Sequence, residues 1–211
     1  MKKIIIFLFI ITFAVGCSDI RKEKYDDIIA NKIESSKKRS NVKKKGYSYY
    51  APRSLRVTKN EGLNDLLTGE KYDYYLYVDL VSYFNKTPLY ATNNKDIYYF
   101  KEYKFADKYG YLKVIKREND KYLIEIMYNY AKIEVIVDES DINVALDNAI
   151  TILSSITYND NIIKNLMGKN VLKFSEEEFN MFEKANSEND VLEIFEKETE
   201  EEEKFDPDLV N

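Results

Sequence analysis

Cys17 is the only thiol in a chain of 211 residues that contains no histidine. Together these two facts remove most catalytic arrangements. Without imidazole there is no Ser-His-Asp or Cys-His pairing to activate a nucleophile, and no imidazole ligand for a metal, so zinc is excluded as well. A single cysteine forms no redox pair, and no glycine-rich phosphate loop is present. Asp138-Glu139-Ser140-Asp141 gathers carboxylates, but it lacks the alternating ligands, turn glycine and closing glutamate of a calcium loop. The run suits the capped start of a helix better. Carboxylates distant in sequence could still pair as they do in glycoside cleavage. The remaining resource is tyrosine, of which there are 19. Tyrosine offers a large contact area and a hydroxyl for recognition, although AT-rich codons would enrich it along with Lys, Asn and Ile.

The surroundings of Cys17 give it a more specific chemistry. Met1-Lys2-Lys3 is a short basic start, and Ile4 to Val15 is apolar apart from Thr12. That run is shorter than the roughly 20 residues needed to cross a bilayer, and it suits the apolar region of a signal peptide. With Ala14-Val15-Gly16-Cys17 at its end, the segment resembles a bacterial lipoprotein signal, with Ala14 where leucine is usual. The resemblance implies that residues 1–16 are removed and that the Cys17 thiol takes a diacylglyceryl group. Cys17 then becomes the first mature residue, held on the extracytoplasmic face of the cell membrane. Two acyl chains give durable attachment where one short chain does not. A mature domain without a further thiol has no disulfide to form.

Charge divides the rest of the chain. From Ser18 to Lys45 there are ten Lys or Arg against five acids, and residues 17–45 read as a basic tether near anionic headgroups or wall polymers. Ile20, Ile28, Ile29 and Ile33 hint at a short helix there. Fully extended at about 3.3 Å per residue, such a tether would hold the domain tens of Å off the membrane. Residues 46–160 form the domain, which is neutral. Residues 161–211 form an acidic, partly helical extension, with fifteen acids and three lysines from Ser175 to Asn211. Ser175 and Glu178 fit a capping box, and Phe174 with Phe179 a hydrophobic staple. The extension reads either as a partner-binding segment anchored by Phe179, Phe182, Leu192 and Phe195, or as a solvating tail.

The elements that must position any site are read from a change of period. Leu112 and Val114 face one way and Lys113 the other. Tyr122, Ile124, Ile126 and Tyr128 then alternate with Lys121 and Glu125, and Ile133, Val135 and Val137 with Lys132 and Glu134. Period two with one apolar face predicts an antiparallel sheet wet on its other side. After Asp138 to Asp141 the spacing of Ile142, Leu146, Ala149, Ile150 and Leu153 predicts a helix laid on the apolar face. The fold class is α+β: a twisted antiparallel sheet packed by a helix after the last strands. Upstream, Tyr47 to Tyr50 predicts a strand ending at Pro52, Gly62 to Gly69 a loop, Tyr72 to Phe84 a strand, and Ile97 to Phe105 another.

The order of these features, from Gly46-Tyr47-Ser48-Tyr49-Tyr50-Ala51-Pro52 to Ile152-Leu153-Ser154-Ser155-Ile156, is similar to PsbP-like and DcrB-like domains. That resemblance implies a twisted sheet between helices in a bacterial lipoprotein, and it licenses no particular activity. The expected function is a non-catalytic binding or assembly module of the cell envelope with a protein partner and no cofactor. Nucleic acid is disfavoured by a neutral domain and an acidic tail. Two alternatives stay open: a surface lipoprotein that binds a ligand or glycan through exposed tyrosines, and a carboxylate-based hydrolase. On the Tyr72 to Phe84 strand, Tyr75, Tyr77 and Tyr83 would share the face opposite Leu76, Val78 and Leu80, as a partner-binding patch. A pocket with convergent polar groups would favour ligand binding or hydrolysis, and a flat exposed aromatic patch would favour assembly.

Overall fold

The two periods seen in the sequence build a sheet and the helices on it. The computed structural model describes residues 19–36, 39–91 and 97–168. Cys17 and the expected helices of the acidic extension beyond Gly168 lie outside the described residues. Seven strands form the main sheet: β3 (Arg56–Glu61), β4 (Asn64–Thr68), β5 (Asp73–Val78), β6 (Ile97–Phe105), β7 (Lys108–Lys116), β8 (Lys121–Tyr128) and β9 (Ala131–Asp138). Their order is β3-β4-β5-β9-β8-β7-β6, with every pairing antiparallel. A small sheet pairs β1 (Val42–Lys43), β2 (Tyr47–Tyr49) and β10 (Thr157–Tyr158) in the order β1-β2-β10.

Four α-helices complete the described residues: α1 (Tyr25–Glu34), α2 (Leu80–Asn85), α3 (Ile142–Ser154) and α4 (Asp160–Gly168). The apolar stripe of α3 packs on β8 and β9. Ile124, Ile126, Ile133, Val135, Leu146, Ile150 and Leu153 are all buried, as their spacing predicts. The fold is α+β, and no described helix is long and apolar enough to cross a membrane.

Four expectations change. The segment read as a tether folds instead: α1 buries Ile28 and Ile29 and packs along α3. Lys32 meets Asp147 at 2.8 Å, and the Asn143 amide donates to the Ile20 and Glu23 carbonyls at 2.8 and 2.7 Å. Gly62 to Gly69 is not a loop but the turn and second strand of the β3–β4 hairpin, with Gly62 at φ 58° in the turn.

The strand expected over Tyr72 to Phe84 stops at Val78. There the Asp79 carboxylate accepts the Ser82 N–H at 2.7 Å and starts α2, which buries Leu80. A capping aspartate outweighs an alternation that aromatic residues satisfy in either conformation. Finally, the sheet's second face is not wet at its centre. Lys113, Glu125, Lys132 and Glu134, placed there by the alternation, are 0 to 7% exposed.

Candidate functional site

The register of the central strands decides which side chains meet on that second face. Lys113 on β7 lies opposite Glu125 on β8, and Glu125 opposite Glu134 on β9. Two carboxylates directly across a strand pair repel, and a lysine answers each. The Lys113 ammonium stands 3.0 Å from Glu125, and Lys132 stands 2.5 Å from Glu134. The Tyr111 hydroxyl donates to Glu125 at 2.8 Å. Burial pushes the Glu134 carboxyl above the usual carboxylate range, against the downward pull of Lys132. Burial, with Glu125 alongside, raises the Tyr111 hydroxyl. Charges this deeply buried are held only in matched pairs. The four sum to zero.

At the end of the same face lies a cavity of about 250 Å³. Three elements bring its walls together. The β8–β9 turn places Asn129 and Tyr130 at φ 51° and 65°, a two-residue hairpin turn of the mirror-image kind. The β6–β7 turn contributes Asp107, and the stretch after α2 contributes Pro88, Leu89 and Tyr90. From the sheet come Lys104, Tyr109 and Met127. Tyr90 is 73% exposed, and its ring meets that of Tyr109 edge-on at 6.1 Å. The Tyr109 hydroxyl donates to Glu102 at 2.6 Å, and burial together with that carboxylate raises its pKa.

The turn is fixed from several directions. Glycine is the usual second residue of such a turn, and a tyrosine at positive φ is a strained choice. The Asp79 N–H donates to the Tyr130 carbonyl at 2.9 Å, and the buried Tyr158 hydroxyl to the Asn129 carbonyl at 2.6 Å. The Tyr130 ring stands edge-on to Tyr83 at 5.7 Å. Tyr83 in turn stacks on Tyr158 at 3.8 Å and donates to Asp160 at 2.8 Å.

Of the three tyrosines expected to form one patch, Tyr75 and Tyr77 lie on β5 beside the charged pairs, opposite Glu134 and Lys132. Tyr77 is only 8% exposed and Tyr75 is half-buried. Tyr83 belongs to α2, where it supports Tyr130 from behind. The break at Asp79 separates it from the other two, so no three-tyrosine strand patch forms. The sequence reading missed Tyr90, Tyr109 and Tyr130. The only local signal was Asn129-Tyr130 standing where two alternating runs meet.

The Asp138 to Asp141 run leads into α3 as expected, with Asp138 and Asp141 at N-cap positions. Neither aspartate caps a helix with its side chain. The Tyr72 hydroxyl, with one proton to share, stands 2.8 Å from both carboxylates, Lys121 reaches Asp138 at 2.6 Å, and Lys71 reaches Asp141 at 3.2 Å. Lys121 and Tyr72 hold the Asp138 carboxyl below its usual range, and Tyr72 and Lys71 do the same for Asp141. Among the described residues no cluster of acids, cysteine or histidine could hold a metal ion. Neither a protein-family model nor a curated protein matches the chain.

Proposed function

We propose that this chain is a non-catalytic binding module of the cell envelope, anchored through a lipid on Cys17, and that a small ligand held in the tyrosine-walled cavity is what it binds. One observation carries the choice of ligand binding over assembly. The described residues line an open cavity that has polar groups among its walls, whereas the three-tyrosine strand patch does not form. The paired carboxylates left open by the sequence do meet, as Glu125 and Glu134. Each is locked to a lysine inside the sheet, which favours a structural role over a hydrolytic one.

Assembly with an envelope protein keeps one supporting feature. Strand β6 is an edge of the main sheet and exposes Tyr98 and Phe100. Unpaired edges are templates for a partner strand.

Mass spectrometry of small molecules retained on the full chain purified from its native envelope tests the ligand reading. A compound carried by the wild type should be missing from Tyr130→Gly. Identical profiles would sink the reading. The anchor is tested by fatty-acid labelling: Cys17→Ala should lose the label and accumulate precursor, and a label that survives would refute it.

A further inference from the structure

We infer that the cavity takes a neutral sugar ring, with the exposed Tyr90 as its stacking wall and Lys104, Asp107 and Asn129 as the groups that read its hydroxyls. This rests on the binding reading above and names the class of ligand. Three observations lead to it. The first is size: about 250 Å³ falls below the roughly 300–1,000 Å³ of sites for drug-sized ligands. A single small ring, or the end of a chain of rings, suits it.

The second is the balance of polar groups. Lys104 brings donors only, Asp107 acceptors only, and Asn129 and the Tyr90 and Tyr130 hydroxyls both. One cation and one anion cancel, so the site has no net charge with which to select a phosphate or a polyamine. Mixed donors and acceptors match hydroxyls, each of which gives and accepts.

The third is the aromatic lining. Three of the nine residues around the cavity are tyrosines, and Tyr90 stands largely in solvent although it is large and partly apolar. An exposed ring beside polar groups offers a face to the C–H side of a pyranose while its hydroxyl stays wet. Tyr130 adds a third ring, presented from the hairpin turn. A bulky side chain is kept at φ 65° where glycine would be unstrained. Such strain persists where the surroundings over-determine it, and it gathers at binding sites.

Calorimetric titration of the full chain tests the inference, with N-acetylglucosamine oligomers and maltooligosaccharides as neutral probes. Free amino acids, as zwitterions, are the contrasting probe, since they could bridge Lys104 and Asp107. The expected result is saturable binding of a neutral saccharide. Tyr90→Ser and Asp107→Asn should each weaken it at least about tenfold while the melting temperature stays put. Zwitterion binding that needs Tyr90, with no saccharide binding, would overturn the sugar assignment and leave the cavity as the binding site. Saccharide binding that ignores both substitutions would place the sugar elsewhere and refute the inference. No binding of any probe would count against the sugar inference and the small-ligand reading together.

Discussion

Tyr130 is held by opposing energies that can be separated. Its left-handed backbone costs about 1–3 kcal/mol. The ring returns about 0.5–1.5 kcal/mol against Tyr83, and a glycine there would add chain entropy to the unfolded state at roughly 0.5–1 kcal/mol. The terms nearly cancel, so Tyr130→Gly should change stability by no more than about 1 kcal/mol in a denaturant titration while ligand is lost. Lys132 is the opposite case. Removing one member of a buried pair leaves a charge without its partner, so Lys132→Met should cost about 3–5 kcal/mol. Lys132→Met with Glu134→Leu should recover most of that in the same assay. If the single change is harmless, the pair is not buried as described.

At the scale of elements, what was legible depended on where polar residues stood. Strands β7, β8 and β9 and helix α3 follow from period alone because their core positions are all apolar. Ile126→Ala should cost about 2–5 kcal/mol by calorimetry, since Ile126 is 1% exposed on the face that α3 covers. The β3–β4 hairpin was illegible for a reason visible in Asp65. Its carboxylate lies at a buried position, bound by Lys44 at 2.5 Å and by the Tyr49 hydroxyl at 2.6 Å. An acid on an inward position erases the alternation that marks a strand. Lys113, Glu125, Lys132 and Glu134 misled in the same way, because buried ion pairs have the pattern of a solvent face. The cavity was beyond sequence reading altogether. Its walls come from two turns, three strand residues and the stretch after α2, which are far apart in sequence and meet only in the fold.

For the molecule as a whole, tyrosine chemistry sets the alkaline limit. Burial and the Asp160 carboxylate push the Tyr83 hydroxyl to about 12, and burial with Asp26 takes Tyr99 to about 12; burial raises Tyr111 and Tyr158 as well. A folded pKa above the unfolded value of 10.0 contributes stability that is fully present below 10.0 and is lost as pH rises through the folded value. The fold should therefore keep this contribution up to about pH 10 and lose it progressively as pH rises through about 12. Phenolate absorbance should appear together with the loss of circular dichroism. Tyrosines that all ionise normally while the fold persists would contradict the burial described here.

The docking of α1 bears on where any ligand must be met. Asn143 grips the chain at Ile20 and Glu23, beside the Asp138 end of β9. A lipid on Cys17 would then leave two or three residues of slack, roughly 10 Å, and the domain would ride on the headgroups instead of drifting above them. The Asn129-Tyr130 turn lies at the other end of β9, eight residues away, or about 25 Å at the rise of a strand. If Cys17 carries the proposed lipid, the length of β9 would set the cavity away from the anchored end of the domain.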